Sequence, residues 1–117
     1  MFDRAPSSFA VLPYVCDAVA DRAAVMPDSG VTRGSDIITA YYLGASFVFV
    51  GRATLYGAIV GGLEGAQRAI QILQQEIAIL LGQMGCASPA NLGRHYLLSR
   101  LGAPNPLRDG AAMARSD

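Results

Sequence analysis

The chain has 117 residues, of which 52% are apolar and 15% charged, and its formal net charge is zero. That balance leaves no basic field for nucleic acid and no acidic one for cations. It also lies below the roughly 25% charged residues of an ordinary globular domain, so any face left uncovered would be apolar. There is no long charge run, low-complexity tract or internal repeat of solenoid length. Residues 1–5 lack the positive region and apolar stretch of a signal peptide. The two cysteines, Cys16 and Cys86, stand on apolar faces and read as reduced core residues, which together with the missing leader predicts a cytoplasmic protein.

In chain order, Ser7 or Ser8 is placed to cap a helix whose apolar positions Val11, Leu12, Val15, Cys16 and Val19 follow a 3.6-residue period. Pro13 is expected near its first turn, where a missing donor does little harm, and Asp21 and Arg22 end it. A short apolar run at 23–26 predicts a strand, stopped by Pro27-Asp28-Ser29-Gly30, where Pro lacks a ladder donor and Gly permits positive φ. Residues 35–43 predict a helix, capped by Ser35 or Asp36 and closed by Gly44. Tyr41 and Tyr42 on it read as packing residues with hydroxyls reaching water. A second apolar run at 47–50 predicts a strand that stops at Gly51-Arg52. Residues 53–60 then form a short helical segment, Gly61-Gly62 a break, and 63–84 the longest helix, ended by Gly82, Gly85 and Pro89. Its stripe of Leu63, Ala66, Ile70, Leu73, Ile77, Leu80 or Leu81, and Met84 fits a coiled-coil seam, but Ile72 and Ile79 off the seam favour a buried helix. Residues 88–98 predict a closing turn and short helix, with the single histidine, His95, as a solvated surface imidazole. From Pro104 onward the composition is that of a frayed tail.

Strand, helix, strand over residues 25–52 is a βαβ unit with parallel strands and a right-handed crossover. Both loops that leave the strands open on one face. Each carries glycines that let backbone N–H groups approach a ligand, a following helix N-terminus, and an arginine, Arg33 or Arg52. The residues therefore predict an anion site shared by two successive βα loops.

The segments Asp28-Ser29-Gly30-Val31-Thr32-Arg33-Gly34-Ser35-Asp36, Leu43-Gly44-Ala45, Val50-Gly51-Arg52-Ala53-Thr54-Leu55-Tyr56-Gly57 and Met84-Gly85-Cys86 together resemble the C-terminal part of the FMN-dependent 2-hydroxy-acid dehydrogenases and oxidases. This is the family of flavin L-lactate dehydrogenase, glycolate oxidase and mandelate dehydrogenase, whose members are (β/α)8 barrels. The resemblance runs from about Asp3 to Leu98, most of this chain but only the last quarter or so of the family's length. It implies an α/β fold that is the C-terminal portion of a TIM barrel: two βα units, the seventh and eighth, plus C-terminal helices. Such barrels need about 250 residues, and two strands cannot close one. The implied organisation is a family portion at 1–98 and a disordered tail at 99–117.

The resemblance further implies FMN as cofactor, with Asp28, Ser29, Gly30, Thr32, Arg33, Gly51 and Arg52 around the ribityl chain and phosphate. Arg52 matches the family's phosphate arginine. Thr32 stands where the family usually has an FMN-contacting Arg, and Arg33 is a substitute only if the backbone adjusts. The implied reaction is oxidation of a 2-hydroxy acid to the 2-oxo acid, with a histidine removing the hydroxyl proton. The matching His-Gly-x-Arg loop would lie upstream of Met1, so no residue here is assigned as general base and the chain by itself is expected to be inactive.

Two other readings follow from the residues. In one, the half-open sheet pairs with a complementing fragment or with copies of itself. In the other, residues 39–63, with Arg52 as their single charge and Gly57-x-x-x-Gly61, form a transmembrane helix; an Arg near its middle would cost about 2.5–3.5 kcal/mol. The parent enzyme could be peripheral to the inner membrane.

Overall fold

The computed structural model of the protein describes residues 5–92. Of the closing turn and short helix expected at 88–98, residues 93–98 with His95 lie outside the described residues, as do the tail at 99–117 and the boundary between 98 and 99. Within them the elements are α1 (Ser8–Val19), a 3-10 turn at Ala20–Arg22, α2 (Gly34–Tyr42), α3 (Arg52–Gln83) and a 3-10 turn at Pro89–Asn91.

Helix α1 starts where a cap is available: the Ser7 hydroxyl accepts a hydrogen bond from the Ala10 N–H at 3.2 Å, which satisfies one of the first-turn donors. Pro13 lies inside this helix, in its second turn rather than its first. At the other end Arg22 covers the last carbonyls, its Nη2 donating to Ala18 O at 2.6 Å and its Nε to Val19 O at 3.2 Å.

The two predicted strands are not formed as a ladder: among the described residues there is no β-strand. Residues 23–28 and 46–50 instead run side by side in the same direction, linked by Ser46 N–H to Val25 O at 2.9 Å and Phe49 N–H to Pro27 O at 3.1 Å. Pro27 supplies the physical reason. In a parallel ladder the residue that donates to the carbonyl of residue 25 receives a bond from the N–H of residue 27, and proline has none. The donors also step three residues while the acceptors step two, so the register slips by one.

Helix α2 lies between two apolar clusters. Ala40, fully buried, packs with Leu12 of α1 and Ala45, with Phe9, Cys16, Val25, Leu43 and Val48 around them. Ile38 and Tyr42 pack with Leu81 of α3, with Ile77, Leu80, Met84, Cys86 and Leu92 around them. Cys16 and Cys86 therefore sit in different clusters and are not bonded to each other. Tyr42 departs from the sequence expectation. It is 6% exposed, and its hydroxyl donates inward to Met84 Sδ at 2.9 Å instead of to water. Burial, and then the neighbouring Cys86, push its phenol pKa upward. The end of α2 follows expectation, with Leu43 as C-cap and Gly44 at φ 105°.

Helix α3 is two helices joined at Gly61 and Gly62, whose φ/ψ values of −141°/22° and 59°/−140° are not helical. The second of these conformations is open to glycine and strained for most other residues. The break folds residues 52–60 back on the longer limb so closely that a Cβ on Gly57 would sit 2.5 Å from Gly65 O and 3.0 Å from Ala69 Cβ. Leu73 and Leu81 of the longer limb are buried. Ile77, Leu80 and Met84 are partly buried beside them, whereas Leu63, at 76%, and Ile70, Ile72 and Ile79 of the expected buried helix are exposed; on the short limb Ile59 and Val60 are 71% and 89% exposed, and Leu55 and Tyr56 are exposed as well. Among the described residues nothing packs over that face. No helix there is long and apolar enough to cross a membrane; residues 39–63 are divided between the end of α2, an irregular stretch and the short limb of α3.

Candidate functional site

The loop after residue 26 and the loop after residue 50 do meet. Asp28, Ser29, Gly30, Val31, Phe49, Gly51 and Arg52 line one cavity of about 160 Å³. Gly30 makes the turn at φ 75°, a conformation that favours glycine. The Ser29 carbonyl accepts from Ser8 Oγ at 3.3 Å, tying the loop to α1. Across the cavity Gly51 is the N-cap of α3, with no side chain to satisfy the first turn and no atom within 4 Å of where a Cβ would stand. The donors of that first turn have no intrahelical acceptors and carry the positive end of the helix dipole. Arg52 is the first residue of the helix, and among the described residues no carboxylate pairs with it.

The N-terminus of α2 is arranged in the opposite way. Helix α2 begins at Gly34 with Arg33 as N-cap, two or three residues before the expected cap at Ser35 or Asp36. Asp36 is its third residue, and from there Oδ2 reaches back to accept Thr32 N–H at 2.9 Å, Thr32 Oγ1 at 3.2 Å and Arg33 N–H at 2.9 Å. The second carboxylate comes from α3. Glu76 Oε2 accepts Gly34 N–H at 2.6 Å and its Oε1 accepts Arg33 Nη2 at 3.1 Å. The Gly34 N–H first, and Arg33 second, hold the Glu76 carboxyl below the usual carboxylate range. Two of the protein's own carboxylates thus occupy the place an external anion would take at α2.

Of the seven residues singled out in the sequence, Asp28, Ser29, Gly30, Gly51 and Arg52 line the cavity, and Thr32 and Arg33 do not. The Thr32 side chain turns to Asp36 and the Arg33 side chain to Glu76. Beyond the Arg33–Glu76 pair is a second cavity of about 230 Å³, lined by Arg33, Ser35, Glu76, Ile79 and Leu80. Sequence reasoning missed Val31 and Phe49 as lining residues, and missed Glu76 entirely. Phe49 could have been found from its place beside the end of the second apolar run; Glu76, 42 residues beyond Gly34, had no local signal. Among the described residues no three histidine, cysteine or acidic side chains cluster as a metal site.

The chain belongs to the FMN-dependent dehydrogenase family, whose profile matches residues 1–99. It is 40% identical over 106 residues to an FMN-dependent alpha-hydroxy acid dehydrogenase of Penicillium citrinum, covering 91% of this chain and 26% of that protein. To an L-lactate oxidase of a Nostoc species it is 37% identical over 95 residues, covering 81% of this chain and 26% of the relative. A high-resolution structure of an oxidized active mutant of (S)-mandelate dehydrogenase matches 84% of this chain and 27% of its own, with a TM-score of 0.77 and 38% identity. The chain therefore spans about a quarter of the length of the relatives it matches. The family uses FMN. The residues of the cavity fit one end of such a group: a glycine turn, a helix N-terminus without a side-chain cap, and an arginine that no carboxylate of the described residues pairs, with Asp28 also in the lining. Its volume is below the roughly 300–1,000 Å³ of sites that enclose a drug-sized ligand, so it suits a phosphate group with part of its chain.

Proposed function

We propose that this chain supplies the phosphate-holding part of the FMN site in an enzyme that oxidises a 2-hydroxy acid to the 2-oxo acid. The observation that carries the reading is the meeting of the α3 N-terminus, Arg52, which no carboxylate of the described residues pairs, and the Gly30 turn around one cavity. In this reading Arg52 and the first-turn N–H groups of α3 neutralise the phosphate. Gly51 and Gly30 let the backbone approach, Ser29 offers a hydroxyl, and Asp28 accepts from a ribityl hydroxyl. Bound FMN supplies the acceptor for the two electrons of the alcohol. The resemblance puts the family's base in a His-Gly-x-Arg loop, whereas the single histidine, His95, is followed by Tyr96-Leu97; in this reading the base is not supplied by the 117-residue chain, which binds the cofactor without turnover.

Two measurements on the purified chain test this. Titration of flavin fluorescence should show FMN bound more tightly than riboflavin, which lacks the phosphate; equal affinities would remove the phosphate site. Anaerobic addition of L-lactate or L-mandelate to the FMN-loaded chain should leave the flavin oxidised, and bleaching would refute the claim of inactivity.

A second reading, a complementing subunit or self-associating piece, is favoured by the exposure of Ile59, Val60 and Leu63 at the α3 break. Size-exclusion chromatography across a concentration series would show a larger species under this reading and a concentration-independent monomer against it.

A further inference from the structure

The cavity loop is held from behind by a residue that does not line it. Gly30 and Val31 form the cavity wall, and the next three residues, Thr32, Arg33 and Gly34, are bound through their backbone N–H groups to carboxylates: Asp36 takes the first two and Glu76 the third. Asp36 moves with α2, because it is part of that helix. Glu76 comes from the long limb of α3, across the Gly61-Gly62 break from the short limb whose N-terminus and Arg52 form the opposite wall, and the two limbs are held against each other where Gly57 meets Gly65. Its contact is close: a Cβ on Gly34 would lie 2.6 Å from Glu76 Cβ and 2.9 Å from Ile77 N, so α2 begins directly against the α3 backbone. Val31 is buried, which transmits the position of residues 32–34 to the turn at Gly30.

We propose that Glu76 is a positioning residue of the phosphate site: by binding Gly34 N–H and Arg33 together it sets the spacing between the Gly30 turn and the N-terminus of α3. This rests on the phosphate reading above. It has two parts with different weights. The bond to Gly34 N–H is partly buried and short, whereas Arg33 is 71% exposed at its side chain, so the backbone bond does most of the positioning and the ion pair little. Glu76 also fills the α2 N-terminus, whereas the α3 N-terminus at the cavity has no side-chain cap and, among the described residues, no such carboxylate.

The test is the ratio of riboflavin to FMN dissociation constants, measured by flavin fluorescence on the full chain. A ratio reads only what the phosphate adds. In the wild-type chain it should be well above one. In Glu76→Ala it should fall about fivefold or more, the size of effect expected when a charged hydrogen bond is lost. Glu76→Gln, which keeps an oxygen for Gly34 N–H, should restore most of it, and Arg33→Gln should stay close to wild type. If Glu76→Ala weakens both flavins equally, the residue only stabilises the fold and the proposal fails; it fails equally if the ratio is unchanged. A wild-type ratio of one would instead overturn the phosphate reading itself, and this inference with it. Circular dichroism melts of each variant identify one that has lost its fold, in which case Glu76→Asp, one methylene shorter, replaces Glu76→Ala: it should lower the ratio, and an unchanged ratio overturns the proposal.

Discussion

The loop that leads into α2 and the start of α3 line one cavity, yet the N-terminus of α2 is filled by carboxylates and that of α3 has no side-chain cap. At α2, Asp36 and Glu76 accept every backbone N–H from Thr32 to Gly34. At α3 the cap is Gly51, which has no side chain, and Arg52 adds a positive charge instead of a negative one. The chemistry of a helix N-terminus is the same in both. Under the proposed phosphate reading, what separates a structural end from a binding end is whether a carboxylate of the chain takes up its N–H groups.

This contrast is sharpened first by two glycine substitutions. Gly34→Ala should destabilise the fold by about 1–3 kcal/mol, because its Cβ would meet the α3 backbone as well as Glu76 Cβ. Gly51→Ala, whose Cβ meets nothing within 4 Å, should change stability by at most about 1 kcal/mol. Thermal or urea denaturation of the pair checks this; equal losses would break the comparison.

Next in size is Arg52→Ala. Losing a charged partner should weaken FMN binding by about tenfold or more while leaving riboflavin affinity and melting temperature near wild type. A matching loss for riboflavin would place Arg52 outside any phosphate contact.

The filled end should show itself in acid. The Glu76 carboxyl titrates lower in the folded chain than in the unfolded one. Its contribution is therefore complete above the unfolded value of about 4.3 and is lost as pH falls through the lower folded value. Urea midpoints measured from pH 6 to pH 2.5 should fall more steeply in wild type than in Glu76→Gln; parallel curves would contradict the assignment.

The smallest effect belongs to Arg33→Gln. The pair with Glu76 is exposed on the arginine side, so its loss should cost less than about 1 kcal/mol, by the same denaturation assay.

Much of this face was legible in the sequence because its signals are local. Ser7 as a cap, Gly44 past the end of α2, and the break at Gly61 and Gly62 each act within a turn of the chain. The glycine and arginine residues that line the cavity were found the same way. The ladder between 23–26 and 47–50 was predicted from apolar runs, and Pro27 outweighs them because it removes the return bond. Asp36 was read as a cap from its position before an apolar stretch, yet it acts from inside the helix. Glu76 and the inward turn of the Tyr42 hydroxyl to Met84 depend on contacts 42 residues apart, which no local pattern reports. The exposed aliphatic face of α3 was anticipated only in general terms, from the scarcity of charge.

The most direct test of the central contrast is a titration of the ¹⁵N-labelled chain with FMN, followed through backbone amide shifts. The account predicts that Gly30 and the first-turn amides Arg52, Ala53 and Thr54 shift with a common saturation curve while Gly34 and Ser35 stay in place, held by Glu76 and its helix. Shifts at Gly34 and Ser35 with none at 52–54 would mean that the phosphate enters at α2, and the account of the site would be wrong.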